Sequence, residues 1–141
     1  PALVDAGGDI AVSGPRQDGE PWAIGLADPL DPQRDLAMLA IWRGGVATSG
    51  RDFRRWRKNG AWQHHIIDPR SGEPARTDVL AATVAAPSAQ AAEMAAKTVL
   101  ILGSVEGLAW LEQHPPLAGL VVLEDGETLH SRGWMNLVWR D

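Results

Sequence analysis

Residues 79–103 read VLAATVAAPSAQAAEMAAKTVLILG, and this run contains a strand, a stop and a helix. Its first residues are mostly small or β-branched, which is typical of a buried strand, and Pro87 ends that strand. Ser88 is a good helix N-cap, an alanine-rich helix follows it, and Gly103 is typical of a helix C-terminus. A second helix is predicted over residues 104–113.

Strands are predicted on both sides of these two helices. Short apolar runs separated by Gly, Pro and Asp predict several strands before residue 87. After the helices, residues 117–123 form a strongly apolar strand, and Asp125-Gly126 turns it back through residues 128–130. Strands, two adjacent helices and two more strands predict an α+β fold with a largely antiparallel sheet and the helices packed on it.

Three further predictions concern the segments around this core. Residues 36–42 are predicted to be a strand that pairs with residues 46–49 across a Gly44-Gly45 hairpin. The basic stretch 51–58 is predicted to contain one helical turn. The tryptophan-rich residues 133–140 are predicted to end as a strand that docks elsewhere.

Composition excludes several classes of protein. The chain has 141 residues, 45% of them hydrophobic and 22% charged, which are values of one globular domain. Its net charge of −5 argues against general nucleic-acid binding. It has no cysteine, so disulfides and thiolate chemistry are excluded, and no apolar run is as long as a transmembrane segment.

Two short segments are candidates for holding phosphate. Gly7-Gly8-Asp9 lets the backbone approach a ligand closely, although most glycine pairs only make turns. Thr48-Ser49-Gly50 offers hydroxyl and N–H donors, but the hydroxyls can also bond their own backbone at a strand end. The arginine-rich stretch that follows favours phosphate binding by this second segment.

Residues 64–72 read HHIIDPRSG and combine two histidines with a proline-containing turn. Neighbouring residues of a strand point to opposite faces, so only one of His64 and His65 faces a given site. In one interpretation His65 and Asp68 handle protons at the mouth of a cleft. In the other, Asp68 caps the turn and His65 bonds at a sheet edge. The residues alone leave both open.

The helix contributes one charged pair, Glu93 and Lys97, which share a face because they are four residues apart. As an ordinary ion pair it is worth only a few tenths of a kcal/mol. The alternative places this face at a bound ligand.

Taken in order, these four segments resemble the second half of the ApbE family of flavin transferases. That family has a GGD-like strand, a TSG segment, an H-x-x-DP-x-[ST]-G turn and a helix with A-D-x-x-x-T. The corresponding segments here are residues 7–9, 48–50, 65–72 and 92–97, within a resemblance over residues 3–126. The resemblance implies a T-fold-like (ApbE-like) α+β domain. It also predicts that residues 1–141 are a single domain portion, the C-terminal half of a longer protein.

The resemblance further implies transfer of FMN from FAD to a Thr or Ser of a target protein, with release of AMP. It implies a periplasmic or membrane-associated extracytoplasmic location. The catalytic residues would be His65 and Asp68, and the residues in contact with FAD would be Asp9, Thr48, Ser49, Gly50, His65 and Arg70.

The family binds Mg²⁺ through two helix positions that correspond to Glu93 and Lys97. Glutamate in place of aspartate lengthens the carboxylate, which suits the octahedral geometry of Mg²⁺ poorly. A charged ammonium has no lone pair and cannot be a ligand. We therefore expect flavin binding with weak or absent Mg²⁺-dependent transfer. The two function hypotheses are an FAD:protein FMN transferase and a non-catalytic module that holds a flavin or a redox partner.

Overall fold

A computed structural model of the chain describes residues 1–52 and 54–140. Its two helices are α1 (Ala89–Leu102) and α2 (Ser104–Glu112). The strands are β1 (Leu3–Ala6), β2 (Asp9–Val12), β3 (Trp22–Ala27), β4 (Asp35–Ile41), β5 (Gly44–Gly50), β6 (Arg55–Lys58), β7 (Ala61–His64), β8 (Ile67–Asp68), β9 (Glu73–Pro74), β10 (Val79–Ala86), β11 (Ala118–Leu123) and β12 (Thr128–His130). A short 3-10 helix covers Trp134–Asn136.

The centre of the molecule is a six-stranded sheet in the order β1-β2-β5-β10-β11-β12. The pairings between its described strands are all antiparallel. Strand β10 lies between β5 and β11, and α1 packs across β5 and β10. The predicted α+β architecture, with two adjacent helices on a largely antiparallel sheet, is confirmed.

The helices begin and end at the predicted residues, and a distant segment completes their caps. The Ser88 hydroxyl accepts a hydrogen bond from the N–H of Ala91 at 3.2 Å, as an N-cap does. Thr77 donates its hydroxyl to the carbonyl of Leu100 at 2.8 Å, near the end of α1. Asp78 accepts the N–H and the hydroxyl of Ser104 at the start of α2, and these bonds lower the pKa of its carboxyl. One segment before β10 therefore stabilises the junction of both helices.

The two faces of the central sheet belong to two apolar cores. Facing the helices, Val84 of β10 packs with Val99 and Leu100 of α1, all fully buried. On the opposite face, Val46 of β5 packs with Leu39 of β4 in the second core. The alternation of side chains along each strand produces this division.

The predicted pairing of residues 36–42 with 46–49 is wrong. Strand β4 pairs with β3 in a separate two-stranded sheet, whereas β5 pairs with β2 and β10. Gly44 has a φ of 105°, and a Cβ on Gly45 would lie 2.2 Å from the backbone nitrogen of Ala89. The two glycines therefore carry the chain beneath the start of α1 instead of forming a hairpin.

Of the other two predictions, the helical turn is wrong, and the C-terminal segment docks elsewhere as predicted but begins as a 3-10 helix instead of a strand. Within stretch 51–58, residues 55–58 are β6, paired with β7 across Asn59-Gly60, and residue 53 lies outside the described residues. The Asn-Gly pair is a strong hairpin signal, and it overrides the helical spacing. The C-terminal segment forms the 3-10 helix and then docks on β4 through the bridge between Leu39 and Val138. Among the described residues, no helix is long and apolar enough to cross a membrane.

A cavity that joins the sheet edge to the first helix

A cavity of about 740 Å³ opens where β2, β5, the β3–β4 sheet and α1 approach one another. Nine residues of the four segments singled out in the sequence line it: Gly7, Gly8, Asp9, Thr48, Ser49, Gly50, His65, Glu93 and Lys97. The fold therefore brings the imidazole of His65 and the charged face of α1 to one hollow. Asp68 and Arg70 are not among the described residues that line it.

The cavity includes an open edge of β5. The pairing of β2 with β5 stops at Ile10 and Val46, so residues 47–50 have a partner strand on one side only, β10, among the described strands. The β1–β2 turn at Gly7-Gly8 borders the same hollow. Both residues have positive φ, which glycine adopts readily, and because glycine has no side chain the backbone is bare at this rim. Unpaired N–H groups at a sheet edge are available to an anionic ligand.

Thr48 and Thr83 form a polar pair on the cavity side of the sheet. They are direct neighbours across β5 and β10, and their hydroxyl oxygens lie 2.8 Å apart. Thr83 is buried, while Thr48 is exposed to the cavity. Each hydroxyl has one donor proton, so this bond leaves the other proton free for a ligand oxygen.

The two adjacent histidines separate as the strand geometry predicts. The N–H of Ile66 donates to Nδ1 of His64 at 3.3 Å, which leaves the proton on Nε2, 2.9 Å from the carbonyl oxygen of Ala75. Burial lowers the pKa of His64. His65, in contrast, is exposed and lines the cavity. Of these two histidines, His65 is the one placed to exchange a proton with a ligand in the cavity.

Asp68 and Arg70 hold the turn that follows. Arg70 donates its backbone N–H to Oδ1 of Asp68 at 2.9 Å, and its guanidinium bonds both carboxylate oxygens. The side-chain bonds, with the backbone bond second, lower the pKa of the Asp68 carboxyl. The carbonyl of Asp68 also accepts the N–H of Gly72 at 2.8 Å. The structure thus shows a turn-holding arrangement, and the catalytic role of Asp68 and the FAD contact of Arg70 stay predictions.

Glu93 and Lys97 form an ion pair at the helix side of the cavity. The carboxylate of Glu93 is occupied by the ammonium of Lys97, which is a hydrogen-bond donor only. Among the described residues, no group of three or more His, Cys, Asp or Glu side chains is arranged to hold a metal ion. The donor set therefore does not fit the Mg²⁺ that the family resemblance implies.

Three further residues that line the cavity were not singled out from the sequence: Asp28, Asp52 and Thr83. Arg54 is the member of the arginine-rich stretch that lines it, whereas Arg51 bonds the carbonyls of Thr77 and Val79. The position of Thr83 opposite Thr48 depends on strand register, for which the sequence carried no signal. The Asp28-Pro29 pair after β3 was a visible signal, but it marks any turn equally well.

Comparison with known proteins places these features in context. Residues 1–121 match the ApbE family. Over 128 residues the chain is 34% identical to the FAD:protein FMN transferase of Vibrio cholerae, covering 88% of this chain and 38% of that protein. A protein of the same name from Treponema pallidum is 31% identical over 146 residues, covering 97% of this chain and 40% of that protein.

Solved structures show the same likeness in three dimensions. The ApbE protein of Thermotoga maritima superposes with a TM-score of 0.88 at 30% identity, over 99% of this chain and 45% of that one. The flavin transferase ApbE of Vibrio cholerae gives 0.77 at 28% identity, over 96% and 43%. The chain thus spans about two fifths of the length of the curated relatives it matches, between 38% and 40% for the two above.

Proposed function

The chain belongs to the ApbE family, and on that premise we propose that it acts in the transfer of FMN from FAD to a Thr or Ser hydroxyl of a target protein. The observation that carries the proposal is the shared cavity, which collects Thr48, His65 and Lys97 from distant segments. The names of its relatives support FAD and a protein acceptor as the two substrates.

The reaction is a phosphoryl transfer in which one P–O bond forms and one P–O bond breaks. The acceptor hydroxyl oxygen attacks the phosphorus on the FMN side of the diphosphate, and the P–O bond to the AMP phosphate breaks. His65 takes the hydroxyl proton, since histidine is the side chain that most often serves as a base near neutral pH. Thr48, Ser49 and the open edge of β5 hold phosphate oxygens, so that positioning supplies much of the acceleration.

The experiment measures AMP release and flavin attachment. Purified protein is incubated with FAD and synthetic peptides centred on Thr or Ser, with and without MgCl₂. AMP is quantified by chromatography, and the peptide is examined for the mass of attached FMN. We expect His65→Gln to lower transfer by at least about 100-fold, because general-base catalysis contributes that much. His130→Gln, at an exposed histidine outside the cavity, is the matched control. Wild-type protein that releases no AMP under either condition would contradict transfer.

A flavin-binding role without transfer is the second candidate, and the Glu93–Lys97 pair favours it. Such a protein binds FAD and leaves it intact. It would retain yellow FAD through gel filtration while producing no AMP, which separates the two functions in one preparation.

We also propose a periplasmic or membrane-associated location on the extracytoplasmic side, supported by the family resemblance. Fractionation of the producing cells, followed by immunoblotting of the periplasmic, membrane and cytoplasmic fractions, tests it. Recovery in the cytoplasmic fraction alone would contradict this location.

A further inference from the structure

We infer that the ammonium of Lys97, held in place by Glu93, supplies the positive charge that meets the phosphates of a nucleotide in the cavity, so that nucleotide binding does not depend on a divalent metal. The inference rests on the proposed function, because it takes the cavity to be the nucleotide site.

The charges around the cavity give Lys97 its importance. Of the described residues that line it, two carry cationic side chains, Arg54 and Lys97. The carboxylates that line it are more numerous: Asp5, Asp9, Asp28, Asp52 and Glu93. A diphosphate entering an acidic hollow needs a cation close to its oxygens, because water screens charges less well in such a site.

Two of these carboxylates are already neutralised. Asp28 pairs with the guanidinium of Arg34, whose Nε lies 3.1 Å from Oδ2 of Asp28. The hydrogen bond from the N–H of Leu30 lowers the pKa of the Asp28 carboxyl most, and the pairing with Arg34 lowers it further. Glu93 is paired with Lys97. Glu93 therefore fixes the position of the ammonium, and Lys97 keeps further N–H donors for a phosphate oxygen.

Small residues next to the Glu93–Lys97 pair allow α1 to lie close to the sheet. Ala92, Ala95 and Ala96 are buried on the face that α1 turns to the sheet, and their small size brings the helix near β5. The side chains of Glu93 and Lys97 remain 32% and 45% exposed. An ion pair this exposed contributes little to folding, so Lys97 can be replaced with the protein still folded.

The test measures binding of FAD by quenching of flavin fluorescence, in excess EDTA and in millimolar MgCl₂. We expect wild-type protein to bind with the same Kd in both. Lys97→Met should weaken binding about tenfold in EDTA, the loss expected for one charge-assisted contact. The sequence has only one other lysine, Lys58, which is exposed and outside the cavity. Lys58→Met is therefore a matched control and should stay within about twofold of the wild type.

A second measurement leaves Lys97 in place. Acetylation with and without FAD, read by mass spectrometry, should show protection of Lys97 and not of Lys58. Mg²⁺-dependent binding by the wild type, unchanged affinity in Lys97→Met, or equal protection of both lysines would overturn the inference.

ADP separates this inference from the proposed function, because it has the diphosphate without the flavin. If FAD binding requires Mg²⁺ and is unchanged in Lys97→Met, the flavin function is retained and the role of Lys97 is overturned. ADP binding that requires Lys97, with no preference for FAD, would support the role of Lys97 and contradict the flavin function. Failure of the wild type to bind either nucleotide would overturn both.

Discussion

The two faces of the central sheet use the same strands for different purposes. On the helix side, which we call the closed face, Ala82 and Val84 of β10 face a packed layer formed by α1 and α2. On the other side, which we call the open face, Thr83 shares the surface of β10 with Ala81 and Ala85, and the core continues into the cavity. Neighbouring residues of one strand thus belong to the packed core and to the cavity side separately, so changes on the two faces should have separable effects.

The largest effect is expected on the closed face, from Leu100→Ala. Leu100 is fully buried in the helix-side core, so truncation removes apolar contacts and leaves a void. We expect the free energy of unfolding to fall by about 3 kcal/mol, with FAD affinity of the folded protein unchanged. Urea denaturation measures the first and fluorescence quenching the second. Val105→Ala, at a side chain that is 81% exposed, is the control and should change stability by less than about 0.5 kcal/mol.

Gly45→Ala tests the contact between the sheet and the start of α1. The added Cβ would lie 2.2 Å from the backbone nitrogen of Ala89, so strand and helix must move apart. We expect a loss of about 2 kcal/mol in urea denaturation, as for an overpacked core. Ala11→Ser, at the exposed residue opposite Gly45 on β2, should change stability little. A stable Gly45→Ala protein would show that this close approach is not a constraint.

The open face should respond less, and Thr48 with Thr83 tests it. Replacing either by Val keeps the shape and removes one hydroxyl of the 2.8 Å pair. Thr83→Val and Thr48→Val should each cost about 1 kcal/mol, and the double variant should cost less than their sum. Double-mutant analysis of urea denaturation gives the coupling. Strict additivity would mean that the two hydroxyls do not support one another.

The smallest effect is a dependence on pH that comes from His64, a buried residue of β7 outside the central sheet. Burial lowers the pKa of His64 below the value of about 6.5 that histidine has in unfolded chains. As the pH falls through that value, the unfolded state takes up a proton first, so stability decreases. Asp28, Asp68 and Asp78 have lowered pKa values and titrate at much more acidic pH.

Urea denaturation at pH 7.5 and 5.5 should therefore show a modest loss, limited to the linkage of one proton. The loss should be absent in His64→Gln and retained in His130→Gln, whose replaced residue is exposed. If His64→Gln loses as much stability between pH 7.5 and 5.5 as the wild type, another group is responsible for the pH dependence.

Local signals in the sequence determined the elements that build the closed face. Strand 79–86, the Ser88 cap and the Gly103 stop depend on residues within one or two turns of each other, and all three match the structure. The order of the two glycine-containing segments 7–9 and 48–50, the histidine segment and the helix also indicated the family, which residues 1–121 match. Caps, breakers and periodicity act over short distances, and a single sequence records them directly.

Only the tertiary structure decided which strands pair and what meets in the cavity. Gly44-Gly45 looks like a hairpin locally, yet the packing of α1 makes it a crossing between two sheets. Strand register places Thr83 beside Thr48. The β6–β7 hairpin and the segment after it place His65 in the cavity that Lys97 also lines. These contacts join residues that are tens of positions apart in the sequence. They are determined by how whole layers of the fold pack together.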